Sequence, residues 1–258
     1  MFYKLLFLLL FLLPSGVRAQ VDAPAIAAAS DLKFALEEIA TRFRADTRRE
    51  VRLSFGSSGN YFRQIGQGAP FQLFLSADED FVFKLHDSGR TEDRGVLYAI
   101  GRIVLFVPKG SPFAADAKMI GLKQAIKGNV VRRFAIANPE HAPYGRAAEQ
   151  ALRNLGLWDA LQGRLVLGEN VSQAAQFASS GSTQGGIFAY SLALAPNVAQ
   201  QGQYVLLPED LHTPLRQRMV LVKGAGETAR AFHSYLQQPV ARKILTQYGF
   251  VLPAEAAK

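Results

Sequence analysis

Cysteine is absent from the 258 residues. That excludes disulfides, thiolate metal sites, a cysteine nucleophile and lipid attachment through an N-terminal thioether. Histidine is scarce: His86, His141, His212 and His233 are the only four, and none has metal-ligand spacing, so no zinc site is signalled. His141, between Pro139 and Pro143, reads as a loop-surface or hydrogen-bonded structural histidine. The serine-rich turns lack Gly-x-Ser-x-Gly, since Gly56 opens Gly-Ser-Ser-Gly-Asn, which argues against a secreted hydrolase. Long apolar runs are missing apart from Leu5 to Leu13, which follows Lys4 and precedes Pro14 and Gly16. That run is too short to span a bilayer as a helix. Val17 and Ala19 supply the small residues of a signal-peptidase site, so residues 1–19 read as an export signal and the mature chain begins at Gln20. The expectation is a soluble periplasmic protein, with no direct membrane insertion.

What is present is a basic chain of about 240 residues after export, enough for one large domain or two compact lobes. The formal charge of +8 falls to +6 when Lys4 and Arg18 leave, because no acidic residue precedes Asp22. Such a surface steers anions from a distance, or simply aids solubility. No basic cluster exceeds two residues, as at Arg48-Arg49, so nucleic acid is not an expected partner.

Four times a short apolar run ends in a loop of small or polar residues and a helical pattern restarts. Ala25 to Ala29 reads as a strand, after which Leu32, Leu36, Ile39 and Phe43 recur at helical spacing and Ser30 stands at the N-cap position. Val51, Leu53 and Phe55 alternate as a half-buried strand does, and Gly56 to Asn60 turns into another helix. Phe71 to Leu75 is a buried strand, Ser76-Ala77-Asp78 opens a helix to His86, and Ile103 to Val107 is a further strand. Pro108, Gly110 and Pro112 suggest a crossing between lobes. The theme then repeats. Phe134 to Ala137 precedes a helix from Gly145 to Leu155, Leu165 to Leu167 precedes a helix from Val171, and Gly186 to Ala189 and Met219 to Val222 are strands. A last amphipathic helix carries Phe232 and Tyr235. Alternating strands and helices indicate an α/β fold with largely parallel sheets, whose ligands bind beyond the carboxyl ends of the strands. Each strand-to-helix turn directs free backbone N–H groups outward, so converging turns form an anion site without lysine or arginine.

AAASDL at 27–32, FGSSGN at 55–60, GAPFQLFLSAD, ANPEHAPYGRAAEQAL, GENVSQA and the terminal YGF at 248–250 occur in an order and spacing that resembles the periplasmic molybdate-binding proteins, the solute receptors of molybdate ABC importers. The resemblance covers nearly all of the mature chain. It implies a two-lobed type II periplasmic-binding-protein fold with an oxyanion enclosed between the lobes. Lobe 1 would comprise residues 20–104 and 217–258, and lobe 2 residues 105–216. It also implies oxyanion ligands: the hydroxyls of Ser30 and Ser58, the backbone N–H groups of Asp31 and Val171, and Tyr144 through its N–H. Where some members use a tyrosine hydroxyl on the strand after the Val171 helix, this chain has Ala189, and Tyr190 faces the other way. The Tyr144 phenol is expected to fill that role. The carboxylate of Asp31 is expected outside the pocket at a helix start, because it would repel a bound dianion.

By the same resemblance the ligand is molybdate, with tungstate, and the partner is the membrane permease of an ABC importer. The protein would be a monomer without cofactor or enzymatic activity. Neutral donors stabilise a fully deprotonated tetrahedral dianion but offer no acceptor to a protonated one. A receptor for sulfate or phosphate is the alternative.

Overall fold

The computed structural model describes residues 23–253, so the expected export signal lies outside the described residues. In chain order the elements are β1 (Ala25–Ala29), a 3-10 turn (Ser30–Leu32), α1 (Lys33–Thr47), β2 (Arg52–Gly56), α2 (Ser58–Gly66), β3 (Phe71–Ser76), α3 (Glu79–Asp87) and β4 (Val96–Gly101). The chain then enters β5 (Ile103–Pro108), α4 (Ile120–Lys127), β6 (Phe134–Ala137), α5 (Pro143–Asn154), α6 (Trp158–Leu161), β7 (Leu165–Gly168) and α7 (Val171–Ser179). It continues through β8 (Gly186–Ala189), α8 (Tyr190–Ala193), α9 (Pro196–Ala199) and β9 (Gly202–Leu206), and returns by β10 (Leu215–Leu221), α10 (Glu227–Tyr235) and α11 (Pro239–Gln247).

Two five-stranded sheets result, ordered β2-β1-β3-β10-β4 and β7-β6-β8-β5-β9. In each, four strands run one way and the strand second from one edge is reversed: β10 lies antiparallel to β3 and β4, and β5 antiparallel to β8 and β9. The sheets are therefore mixed, and both reversed strands are the ones entered directly after the chain crosses between lobes.

Strand side chains of the first sheet divide by parity, as the pleat requires. Ile26, Ala28, Leu73, Leu75 and Met219 face a core completed by α1, α10 and α11. Ala27, Phe74 and Val220 face a second core with Tyr61, Ile65, Val82 and Leu85. The inner strands of both sheets are covered on both faces, so all six positions of β5 are buried. Helix α1 follows its apolar stripe through Leu36, Ile39 and Phe43 and ends where Arg48 turns left-handed at φ 59°. Ala29 and Ala77, at the ends of β1 and β3, pack into the core of the second lobe instead.

The crossings differ from expectation. Only Arg102 separates β4 from β5, although these strands lie in different sheets. Residues 96–107 are apolar except for Tyr98 and the brief Gly101-Arg102 break, which hides β4 and draws attention to Pro108-Gly110-Pro112, a loop within the second lobe. Ile103 and Val104 belong to the second sheet, while Leu215 and Arg216 already belong to the first. The second crossing spans residues 207–214, and an ion pair from Arg102 to Glu209 at 2.7 Å ties the two crossings together. Strand β9 and helix α11 also escape the sequence pattern.

Phe43 has no exposed surface and meets Phe232 and Tyr235 edge-on at 5.0 and 5.4 Å between ring centroids. Truncating it removes both contacts and leaves a cavity at the α1–α10 seam. Phe43→Ala should lower unfolding stability by about 3–5 kcal/mol, measured as a shift of the urea midpoint at unchanged slope; a loss below about 1 kcal/mol would contradict this packing.

Candidate functional site

The carboxyl ends of β1, β2 and β3 from one lobe and of β6 and β7 from the other meet at one place. A small cavity there is lined by Ser30, Asp31, Ser58, Tyr144 and Val171, with Ala29, Gly56, Ser57, Ala77, Ala142 and Pro143. All five residues singled out from sequence are thus brought together. The lining has no lysine, arginine or histidine. A wider hollow lies beside Pro108 to Ala114, but it is an open surface groove within the second lobe, at the end of β5 and the start of β9.

An account of the backbone N–H groups identifies what the cavity offers. In the first turn of α2, Gly59 N–H donates to the His141 carbonyl at 2.9 Å and Asn60 N–H to Ser57 Oγ at 3.4 Å. At the start of α5, Pro143 has no N–H and Gly145 N–H reaches the Ala142 carbonyl at 2.9 Å. At the start of α7, Ser172 N–H donates to Ser30 Oγ at 3.2 Å and Gln173 N–H to Asn170 Oδ1 at 3.1 Å. Only the N–H groups of Ser58, Tyr144 and Val171 are left without a protein acceptor at these three starts. Helix geometry orphans such groups, and the dipole makes them receptive to negative charge. The Ser58 hydroxyl adds a fourth donor: its oxygen accepts from Ala77 N–H at 2.9 Å, which leaves its proton uncommitted.

Three site residues behave differently from expectation. Ser30 does not cap α1; it sits inside the 3-10 turn, and its hydroxyl donates across the cleft to Asn170 Oδ1 at 3.0 Å. The Tyr144 phenol donates to Asp31 Oδ2 at 2.9 Å and accepts from Gln217 Nε2 at 3.0 Å. Its single proton is committed to the other lobe, so the phenol does not fill the place of the missing tyrosine. The Asp31 carboxylate is not outside the pocket either. Asp31 is 1% exposed, held by Tyr144 and by Gln217 Nε2 at 2.6 Å. Burial raises its carboxyl from the ordinary value to about 6 against the lowering effect of these two hydrogen bonds. The Tyr98 hydroxyl closes the cluster by donating to Gln217 Oε1 at 2.6 Å.

Several residues that the sequence did not flag join the lobes. Asn170 Oδ1 both caps α7 and accepts from Ser30; its position before Val171 was a readable N-cap signal. Ser191 donates to the Asp31 carbonyl at 2.8 Å, and Ser172 to the Ser30 carbonyl at 2.8 Å. His141 is buried, with Nδ1 2.9 Å from Ser57 Oγ and Nε2 3.6 Å from Glu169, a structural role. Arg146 pairs with Asp78, and Asn60 with Glu169, at the rim. Gln217, between Arg216 and Arg218 on β10, is fully buried, and nothing in its local sequence announces that.

The bacterial extracellular solute-binding protein family matches residues 25–251. The chain belongs to that family. Among its relatives, the molybdate-binding protein of Rhodobacter capsulatus is 35% identical over 87% of this chain and 86% of its own length. That of Azotobacter vinelandii is 36% identical over 91% and 92%. The solved structure of the Azotobacter vinelandii periplasmic molybdate-binding protein superposes with a TM-score of 0.80 at 33% identity, covering 89% of this chain and 99% of that one. A sulfate-binding protein from Mycobacterium tuberculosis shares the fold at a TM-score of 0.72 and 16% identity, so the architecture alone does not select an oxyanion. As a solute-binding protein, the molecule is a receptor and not an enzyme. Among the described residues, no helix is long and apolar enough to cross a membrane, and no cluster of acidic and histidine side chains could hold a metal ion.

The closed site depends on a glycine. A methyl group at Gly59 would stand 2.6 Å from the His141 carbonyl of the opposite lobe. Alanine there favours helix α2 within its own lobe but obstructs closure. Gly59→Ala should therefore weaken ligand affinity by about 5- to 100-fold while the ligand-free melting temperature stays level or rises; a parent-like affinity by titration calorimetry would contradict the role of this contact.

Proposed function

We propose that the protein is a periplasmic receptor that captures molybdate, and with it tungstate, and delivers the anion to the membrane permease of an ABC importer. The observation that carries this reading is the convergence of three orphaned N–H groups and the Ser58 hydroxyl on one cavity without a cationic side chain. Such a site solvates a tetrahedral dianion by directed dipoles. The 33–36% identical molybdate-binding relatives support the choice of anion.

In this reading Ser58, Tyr144 and Val171 bind through backbone N–H groups, Ser58 also through its hydroxyl. Ser30 exchanges its neutral acceptor Asn170 for a charged oxygen, a stronger partner. The Asp31 backbone N–H contributes from the turn below. Donors from both lobes act on one anion, so occupancy stabilises the closed form and the importer reads closure. One chain supplies the whole lining, in keeping with a monomer, and the carried anion makes a cofactor unnecessary.

Size separates molybdate from sulfate. Donors held by packed helix starts and spaced for the longer metal–oxygen bonds leave sulfate short of partners, at a cost of about 1.5–3 kcal/mol for each missed hydrogen bond to charge. Tungstate, of nearly equal size, is not separated this way. One observation favours hydrogen phosphate as the second reading: Asp31 Oδ1 is buried without a partner and is an acceptor for a proton on the ligand.

Two measurements test the assignment. Molybdate or tungstate at a hundred times its dissociation constant should stabilise the mature protein by about 2.7 kcal/mol in a thermal melt, with sulfate and phosphate inert at the same concentration. A shift by sulfate or phosphate alone would keep the fold and overturn the ligand. Ser58→Ala removes one hydrogen bond to the charged ligand and should weaken molybdate binding by about 10- to 150-fold; an unchanged dissociation constant would remove that hydroxyl from the site.

A further inference from the structure

Asp31 is the one residue with a charged side chain among those lining the cavity, and its two carboxyl oxygens are treated differently. Oδ2 accepts from Tyr144 and Gln217, whereas Oδ1 is buried without a hydrogen-bond partner. The N–H groups of Asp31 and Leu32 favour the charged form, but neither makes a hydrogen bond of proper geometry to Oδ1. A buried carboxylate oxygen without a donor is costly. A carboxylate beside a bound dianion costs more, since like charges in a site of low polarity repel strongly.

Among the described residues no cation answers that charge. On α1, Lys33 is drawn outward to Glu37 at 2.5 Å. On β10, Arg216 and Arg218 flank Gln217 but pair with Glu79 at 2.5 and 2.8 Å. Tyr144 on α5 and Tyr98 on β4 are neutral, burial beside Asp31 raising both phenols further above their ordinary value. From α7 and α8, Ser172 and Ser191 bond the Ser30 and Asp31 carbonyls, and Val171 and Gly56 share the cavity lining with Asp31, all uncharged.

We propose that the receptor binds its dianion together with one proton, carried on Asp31 Oδ1. The proposal rests on the oxyanion reading above and adds the proton as a second ligand of the same cavity. Protonation turns Oδ1 from an unsatisfied acceptor into a donor and removes the negative charge next to the anion. It leaves Oδ2 free to keep accepting from Tyr144 and Gln217. No bond other than O–H is formed, and the proton comes from the buffer.

The direction of the pH dependence follows. Burial in the closed form raises the carboxyl to about 6; separating the lobes would hydrate it and lower it toward its ordinary value, and an adjacent dianion would move it higher. Because the closed form holds the proton more tightly, closure is favoured at low pH, and that advantage is lost as pH rises through the closed-form value. Binding at pH 6 therefore takes up protons, and affinity falls from pH 6 to pH 8.

Asp31→Asn is the decisive variant, because an amide mimics the protonated acid: its oxygen takes the place of Oδ2 and its NH2 group that of the protonated Oδ1. Titration calorimetry of molybdate into the full mature protein at pH 6, in two non-phosphate buffers of different ionisation enthalpy, should give buffer-dependent heats for the parent. Asp31→Asn should give buffer-independent heats, an affinity flat from pH 6 to 8, and binding tighter than the parent at pH 8. Parent heats that do not vary with buffer would overturn proton co-binding while leaving the receptor intact. Uptake that persists in Asp31→Asn would place the proton elsewhere and overturn it equally. Absence of any binding heat with molybdate or tungstate would remove the receptor reading and this inference together. The parent measurement stands without the variant, so a poorly folding Asp31→Asn does not protect the idea.

Discussion

An enclosed dianion has to be solvated by something, and the groups that this cavity offers for it are chiefly backbone. Three helix starts and one 3-10 turn end at the same cavity, and each first turn disposes of its N–H groups inside the protein until one remains. Those remainders are not free to move, because the neighbouring N–H groups are already bonded to His141, Ala142, Ser30 and Asn170. The rigidity that sets the donor spacing therefore comes from the same hydrogen bonds that close the lobes. A lysine or arginine would supply more charge with less geometry, since long side chains adapt to anions of different size.

The Asp31 cluster lies between this cavity and the hinge. Tyr98 is on β4 and Gln217 on β10, the two first-sheet strands that border the crossings, and Tyr144 reaches them from the second lobe. Gly101, the last residue before the crossing at Arg102, has no room for a side chain because the Tyr144 hydroxyl and Gln217 occupy it. Closure thus seats a phenol from one lobe against the hinge strands of the other. Anything that alters the charge on Asp31 acts on the ligand and on lobe contact at once, since both meet at one carboxyl group.

Much of this was legible beforehand, for local reasons. Ala25 to Ala29 and Leu36, Ile39 and Phe43 announce their strand and helix because period 2 and period 3.6 are properties of the chain itself. Val171 follows an asparagine in capping position, and Ser58 lies in a turn that restarts a helix, so both were placed correctly without knowing what lay opposite. Strand β4 was hidden because the turn to β5 is one residue long and needs no glycine-proline punctuation. The side-chain partners of Ser30 and Tyr144 were not legible because each lies more than a hundred residues away, Asn170 in one case and Asp31 in the other.

By itself the amino-acid sequence determined the repeated strand-turn-helix units, the exclusion of thiol and metal chemistry, and the family whose motifs the chain carries. Periodicity, composition and short-range turn chemistry suffice for the first two, and the family rests on the resemblance of its ordered motifs. Only the tertiary structure decided which N–H groups remain unpaired, that the Tyr144 proton is committed to Asp31, and that a carboxyl group sits buried against the anion cavity. Those facts belong to contacts across the cleft, where burial and hydrogen-bond partners come from the opposite lobe, and no local pattern in either segment encodes them.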